Sequence, residues 1–196
     1  VFIDIKALPV VNLGPDVRLC YGDSLQLDAG NPGAIYLWKK DGAFFASTRT
    51  IYVKDSARYT VMVIDSALCE GFDTMNLYVN PKVVVGPVAN RVICSGDNIW
   101  LRGSGADIYE WRNDQNTQVW TGDSIQIAPN VSSQYFIKGI KTVKGKTCYG
   151  FDTVQIDVHP LPILSVTPPA AKIASGQSVS LTASGASAYS WTPATG

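Results

Sequence analysis

The sequence predicts an all-β chain in which one small two-sheet domain is copied in tandem. Three observations carry this reading. Only 16% of the residues are charged, while β-branched, aromatic and turn-forming residues are plentiful, a mix that favours many short strands over helices. Apolar residues recur at every second position in short runs such as Met75-Asn76-Leu77-Tyr78-Val79 and Val154-Gln155-Ile156-Asp157-Val158, so one face of each run is buried. And one pattern recurs: Cys20-Tyr21-Gly22-Asp23-Ser24, Cys94-Ser95-Gly96-Asp97-Asn98 and Ala174-Ser175-Gly176-Gln177-Ser178 are each followed, at nearly constant spacing, by Trp38, Trp111 and Trp191. Repetition of this kind is the mark of a copied structural unit.

The closing strand of each copy sets the divisions. Val1-Phe2-Ile3-Asp4-Ile5 is followed by Leu8-Pro9, Met75–Val79 by Pro81, and Val154–Val158 by Leu161-Pro162. Proline donates no ladder hydrogen bond and stiffens the exit, so these prolines mark joints. Residues 1–7 are then the last strand of a preceding domain, 8–80 and 81–159 are complete domains, and 160–196 is the first half of a further one. The chain therefore reads as an internal piece of something longer.

Within the first domain, Leu25-Gln26-Leu27 forms a short strand, 28–33 a turn cluster, and Ile35-Tyr36-Leu37-Trp38 the next strand. Asp41-Gly42 is a hairpin signal, followed by strands at Thr50–Val53 and Arg58–Val63 and a closing strand after Cys69. The second domain repeats the order with Ile99-Trp100-Leu101, Tyr109-Glu110-Trp111, Ser124–Ile127, Tyr135-Phe136-Ile137 and a closing strand after Cys148. In the third, Val179-Ser180-Leu181 and Tyr189-Ser190-Trp191 match Leu25–Leu27 and Ile35–Trp38. About seven strands per copy, with tryptophan on the third and tyrosine opening the sixth, predict an immunoglobulin-like sandwich. Trp38, Trp111 and Trp191 are the expected core plugs, and Tyr59 and Tyr135 the expected tyrosine corners.

The four cysteines have no Cys-x-x-Cys spacing and fall two to a copy. The leading reading is two disulfides, Cys20 with Cys69 and Cys94 with Cys148, which implies an oxidising, extracytoplasmic setting. The alternative is four buried thiols. Val61 and Ile137 occupy the place where antibody domains carry cysteine, so each bridge is expected to tie the start of the second strand to the loop before the last. Closing loops of that size stabilises each domain by about 4 kcal/mol through loop-closure entropy. Since Ala174 replaces the cysteine in the third copy, the bridge is expected to reinforce the fold without defining it.

Leu8-Pro9, Cys20-x-Gly22-Asp23-Ser24, Leu37-Trp38, Arg58-Tyr59-Thr60-Val61, Cys69-x-Gly71-x-Asp73-Thr74 and Pro81 together resemble the Ig-like or PKD-like repeats of Bacteroidota surface proteins. The stretch from Ser184 to Gly196 is similar to a common segment of the same repeats. The resemblance covers essentially the whole chain. It implies giant cell-surface adhesins, including mobile gliding adhesins of the SprB type, and accessory regions of type IX secretion cargo. It also implies O-glycosylation at Asp-Ser/Thr-apolar triplets, for which Ser24, Ser56, Ser66, Thr74, Ser124 and Thr153 are candidates. Asn130 heads an N-glycosylation sequon, which is discounted for a bacterium.

Other chemistry is weakly supported. His159 is the only histidine and reads as a linker residue, so no catalytic set is assembled. Asp16, Asp23, Asp28, Asp97 and Asp107 lie in turn-rich ends where calcium could stiffen a joint, but aspartate caps turns for its own backbone reasons. No other metal or cofactor is expected. Trp100 should face outward and Trp120 has no assigned orientation; either could stack on a sugar ring or pack at a joint. Lys plus Arg equals Asp plus Glu, which gives no broad attraction to nucleic acid, and no apolar run is long enough for a membrane span. The expected role is a structural stalk segment of an exported surface adhesin, non-enzymatic, whose partners are neighbouring repeats, surface polysaccharide, or secretion and gliding machinery. The rival is a carbohydrate- or protein-binding accessory module of a secreted enzyme.

Overall fold

A computed structural model describes residues 5–86, 89–115 and 119–192. It is all-β, with sixteen strands and no helix among the described residues. The first sandwich contains β1 (Val17–Leu19), β2 (Leu25–Asp28), β3 (Ile35–Lys40), β4 (Ala43–Ala46), β5 (Thr50–Val53), β6 (Ala57–Ile64) and β7 (Glu70–Val79). Its larger sheet runs β1-β7-β6-β3-β4 and its smaller sheet is β2-β5. The second contains β8 (Arg91–Cys94), β9 (Ile99–Arg102), β10 (Ile108–Asn113), β11 (Val119–Thr121), β12 (Ser124–Ile127), β13 (Ser133–Val143) and β14 (Lys146–His159). Its sheets run β11-β10-β13-β14-β8 and β12-β9, the same order element for element. This is the immunoglobulin-like arrangement: a pair of antiparallel strands laid over a larger sheet with one parallel edge strand.

Alternation explains why these residues form strands. In β6 the inward positions Tyr59, Val61 and Val63 are buried while Arg58 is exposed and Thr60 and Met62 are only partly covered. In β3 and β10 the inward pairs are Tyr36 with Trp38 and Tyr109 with Trp111. Trp38 and Trp111 are both 0% exposed, each surrounded by its own cluster. Their indole N–H groups are satisfied: Trp38 donates to the Thr48 carbonyl at 2.8 Å and Trp111 to the Gly122 carbonyl at 3.0 Å. A buried indole without such a partner would leave a costly orphan donor. The Tyr59 hydroxyl donates to the Asp55 carbonyl at 3.2 Å, a tyrosine corner, and Tyr135 is buried in the second core.

Turn chemistry supports both sheets. Asp41 and Gly42 have φ of 50° and 85° and join β3 to β4. Lys144 and Gly145, at 48° and 79°, join β13 to β14. Glycine tolerates such left-handed values without steric cost, which lets this second hairpin run to its tip in register, Val143 opposite Lys146.

The third copy differs from expectation. Its described strands are β15 (Ser165–Thr167) and β16 (Thr182–Ser184), a two-stranded ribbon. Val179–Leu181 and Tyr189–Trp191 are not strands, and Trp191 is 54% exposed rather than a core plug. A tryptophan is buried between two sheets, and no second sheet covers this one among the described residues. The expected strand at Val1–Ile5 lies outside the described residues except for Ile5, which is exposed.

Candidate functional site at the joint between the sandwiches

The parallel pairing of β1 with β7 decides what the cysteines can do. Leu19 stands opposite Val79, so Cys20 lies at the exit end of the closing strand. Cys69 lies just before the other end of that ten-residue strand. At about 3.3 Å per residue the two are roughly 30 Å apart, far beyond the ~7 Å between Cα atoms that a disulfide spans. The second sandwich repeats the geometry: Cys94 is opposite His159, at the far end of β14 from Cys148. The expected pairs Cys20–Cys69 and Cys94–Cys148 are therefore corrected. Cys20 is bonded to Cys148, across the joint, with Cα atoms 5.5 Å apart and a sequence separation of 128. Cys69 and Cys94 are free thiols.

The joint around this bond is built from both sandwiches. The hairpin of β13 and β14 is long enough to place Cys148, opposite Lys141, against the exit end of the first sandwich. Cys148 is 3% exposed. Asn80, 2% exposed, donates from Nδ2 to Cys148 Sγ at 3.6 Å and accepts from Arg18 Nη1 at 3.1 Å. Its own backbone N–H donates to the Leu19 carbonyl at 2.9 Å. A buried amide so satisfied ties the last residue of one sandwich to the disulfide of the next. The Arg18 guanidinium also lies 4.9 Å from the Tyr78 ring centre.

After Asn80 the chain does not cross open solvent. Val83 and Val85 are buried in the second core, and Gly86 N donates to the Ser104 carbonyl at 2.8 Å. Gly150 faces the Val83 carbonyl so closely that a side chain there would collide with it. Gly71 meets the Pro9 carbonyl in the same way in the first sandwich, where Leu13 N donates to Asp73 at 2.6 Å. The chain from Pro9 to Leu13 and from Pro81 to Gly86 is thus a packed edge of the sandwich that follows it. Two recesses flank the joint. One of about 190 Å³ lies among Asn80, Lys82, Lys141 and Cys148, and an open one of about 450 Å³ lies beside Tyr21, Lys82, Tyr149 and Phe151.

The remaining expected sites are dispersed. His159 is exposed at the end of β14, its carbonyl accepting from Ser95 N at 2.9 Å. Asp23 and Asp97 accept from the amides of Cys20 and Cys94 at 3.3 and 3.1 Å. Asp107 accepts from Thr142 N at 3.2 Å. The amide and side chain of Asn76 hold the Asp16 carboxyl below its ordinary value, and Arg49, with Gly30 N, does so for Asp28. Among the described residues no group of three or more His, Cys, Asp or Glu side chains converges on a metal position. Trp100 is 58% exposed, as alternation requires, while Trp120 is partly buried and tilted against Tyr135 at 6.0 Å.

Of the hydroxyl candidates, Ser24, Ser66 and Thr153 are exposed. Ser56, also exposed, accepts from Val79 N at 2.8 Å, partly buried Thr74 is 3.1 Å from Thr60 Oγ1, and Ser124 donates to Asp123 at 3.0 Å.

Sequence reasoning missed two things. The first is a tyrosine two residues before each tryptophan: Tyr36 donates to the Asn31 carbonyl at 2.6 Å, and Tyr109 and Tyr189 accept from Ala106 N and Ala186 N at 2.8 Å. Its signal was visible, since Tyr-x-Trp occurs in all three copies. The second is the joint bond, whose only trace was the Lys144-Gly145 turn.

No protein-family model matches the chain, and no curated protein matches it. Among solved structures it is similar to the insect immune protein hemolin, with TM-score 0.43 and 15% identity over 79% of this chain and 48% of that one. The chain thus spans about half of hemolin's length. It is also similar to tandem Ig repeats of Dlar, with TM-score 0.31 and 15% identity over 75% and 95% of the two chains. A third likeness is to the N-terminal four Ig domains of Dscam1 isoform 4.4, with TM-score 0.32 and 12% identity over 79% and 46%. The assignment of the fold rests on the strand order given above.

Proposed function

We propose that this chain is a stalk segment of an exported cell-surface adhesin, in which repeats 8–80, 81–159 and 160 onward hold a distal adhesive region away from the cell. The observation that carries it is the joint: Cys20 bonded to Cys148, with Val83 and Val85 buried beside the bond. A joint so packed and cross-linked transmits orientation from one sandwich to the next, and that is the physical requirement for reach. A disulfide also fits an extracytoplasmic setting. The resemblance to Bacteroidota surface repeats adds the gliding and type IX export context, and glycans at the exposed Ser24, Ser66 and Thr153 belong to the same reading. Small-angle scattering tests it. The oxidised protein should fit one inter-sandwich arrangement, and reduction should broaden the distribution of distances. Free reorientation of the sandwiches in the oxidised protein would remove the stalk role. An intact mass equal to the bare polypeptide would remove the glycans.

A binding module is favoured by one observation: Tyr21, Tyr149 and Phe151, all exposed, flank the 450 Å³ recess. Aromatic faces of this kind stack on sugar rings or partner side chains. A glycan-array signal lost on Phe151→Ala, with the fold retained, would support it over the stalk.

A further inference from the structure

Four cysteines occupy two kinds of position, and only one of each kind is bonded. Cys20 and Cys94 are turn cysteines. Asp23 N donates to the Cys20 carbonyl at 3.1 Å, and Asp97 N donates to the Cys94 carbonyl at 3.1 Å. Each cysteine amide is received by that aspartate's carboxylate, and each residue sits at the exit end of its sandwich. Cys69 and Cys148 are hairpin cysteines, lying at the entry end, where Pro9 and Val83 pack on Gly71 and Gly150 two residues further along. The structure joins the turn cysteine of one sandwich to the hairpin cysteine of the next. The unbonded pair are the complementary halves: an exit-end turn cysteine, exposed, and an entry-end hairpin cysteine, half-buried. Their own-sandwich partners lie a full strand length away, so neither can close locally.

We propose that Cys94 and Cys69 are the open ends of a periodic inter-repeat disulfide ladder. Cys94 bonds to a hairpin cysteine of the repeat that follows it in the same chain, and Cys69 to a turn cysteine of the repeat that precedes it. The inference rests on the repeat reading above and extends it from one joint to the array. Ala174 sets the limit of the series. Its turn is retained, with Gln177 N donating to the Ala174 carbonyl at 3.0 Å, but it has no sulfur. The third repeat accepts a bond from the second and gives none onward.

The bond forms by thiol–disulfide exchange with an extracytoplasmic dithiol–disulfide oxidoreductase. The Cys94 thiolate attacks one sulfur of the oxidant's disulfide, which breaks and leaves a mixed disulfide and one oxidant thiolate. The partner cysteine's thiolate then attacks Cys94 Sγ and expels the second oxidant thiolate. Two electrons pass to the oxidant, and the two protons released by the cysteines end on its thiols.

Non-reducing tryptic mapping of the full-length secreted protein, alkylated at collection, tests this. Trypsin places Cys94 in peptide 92–102 and Cys69 in peptide 59–82. Both should be absent as alkylated monomers, each joined to a cysteine peptide of another repeat, with the protein running as a single chain on a non-reducing gel. Cys94→Ser should free one hairpin cysteine for alkylation and leave Cys20–Cys148 intact. Quantitative alkylation of both peptides without reduction would overturn the ladder, as would a join of 92–102 to 147–172 or to 59–82. A reducible ladder of chains on the gel would overturn the in-chain partner. Any of these outcomes with Cys20–Cys148 present leaves the stalk reading standing, whereas loss of Cys20–Cys148 itself would undercut that reading.

Discussion

The apolar stretches after Pro81 and Pro162 are alike in composition and differ in how much of a sandwich stands over them among the described residues. At the first, Asn80 is buried, Val83 and Val85 enter the second core, and Cys148 reaches across to Cys20. At the second, His159 is exposed, and so are Leu161, Ile163 and Leu164. Both are apolar stretches opened by proline. The first lies against the long hairpin of β13 and β14, with Gly150 open to its backbone, whereas the third copy contributes β15 and β16 among the described residues. Apolar linker residues make a stiff joint only when the next repeat supplies a surface that removes them from water.

The largest effect on the first joint comes through the second core. Trp111→Ala should cost about 3–5 kcal/mol, unfold the second sandwich first, and expose the first joint. Hydrogen exchange at Val83 and Val85 should rise to the level of an unstructured segment, while the Trp38 core stays protected. Next comes the bond. Replacing Cys20 and Cys148 together by serine should lower stability by about 2–4 kcal/mol and loosen the joint while β circular dichroism persists. Collapse of the β signal would show that the bond defines the fold. Gly150→Ala brings a methyl group against the Val83 carbonyl. It should cost about 1–3 kcal/mol and raise exchange at the first joint alone.

The smallest effect is an acid one in the first sandwich. Asp16 and Asp28 have folded values depressed below 3.8 by their hydrogen-bond partners Asn76 and Arg49. Their contribution is therefore present above that value and lost as pH falls through the lower folded one. A melting-temperature scan below pH 4 should show a slope that Asp28→Asn makes shallower.

Much of the fold was legible in the residues. Tyr59 at the corner, Trp38 and Trp111 at the core, and Asp41-Gly42 at the hairpin are local signals, and the strands they mark lie where period-two alternation put them. The edge strands β1 and β8 were not legible, because three or four residues carry too little pattern. That omission concealed the site: without β1 beside β7, Cys20 and Cys69 look like neighbours.

Alternation and turn chemistry act over a few residues, and they specify an all-β repeat, its period, and the buried face of the strands that carry the pattern in the first two copies. The sequence by itself also determined that cysteines come in two positional kinds. Which kinds meet is set by long-range packing. That depends on the parallel register of β1 with β7 and of β8 with β14, which carries each turn cysteine to the exit end of its sandwich. Pairings between residues so far apart in the chain are set by the packing of whole sheets, so tertiary contact alone joined Cys20 to Cys148.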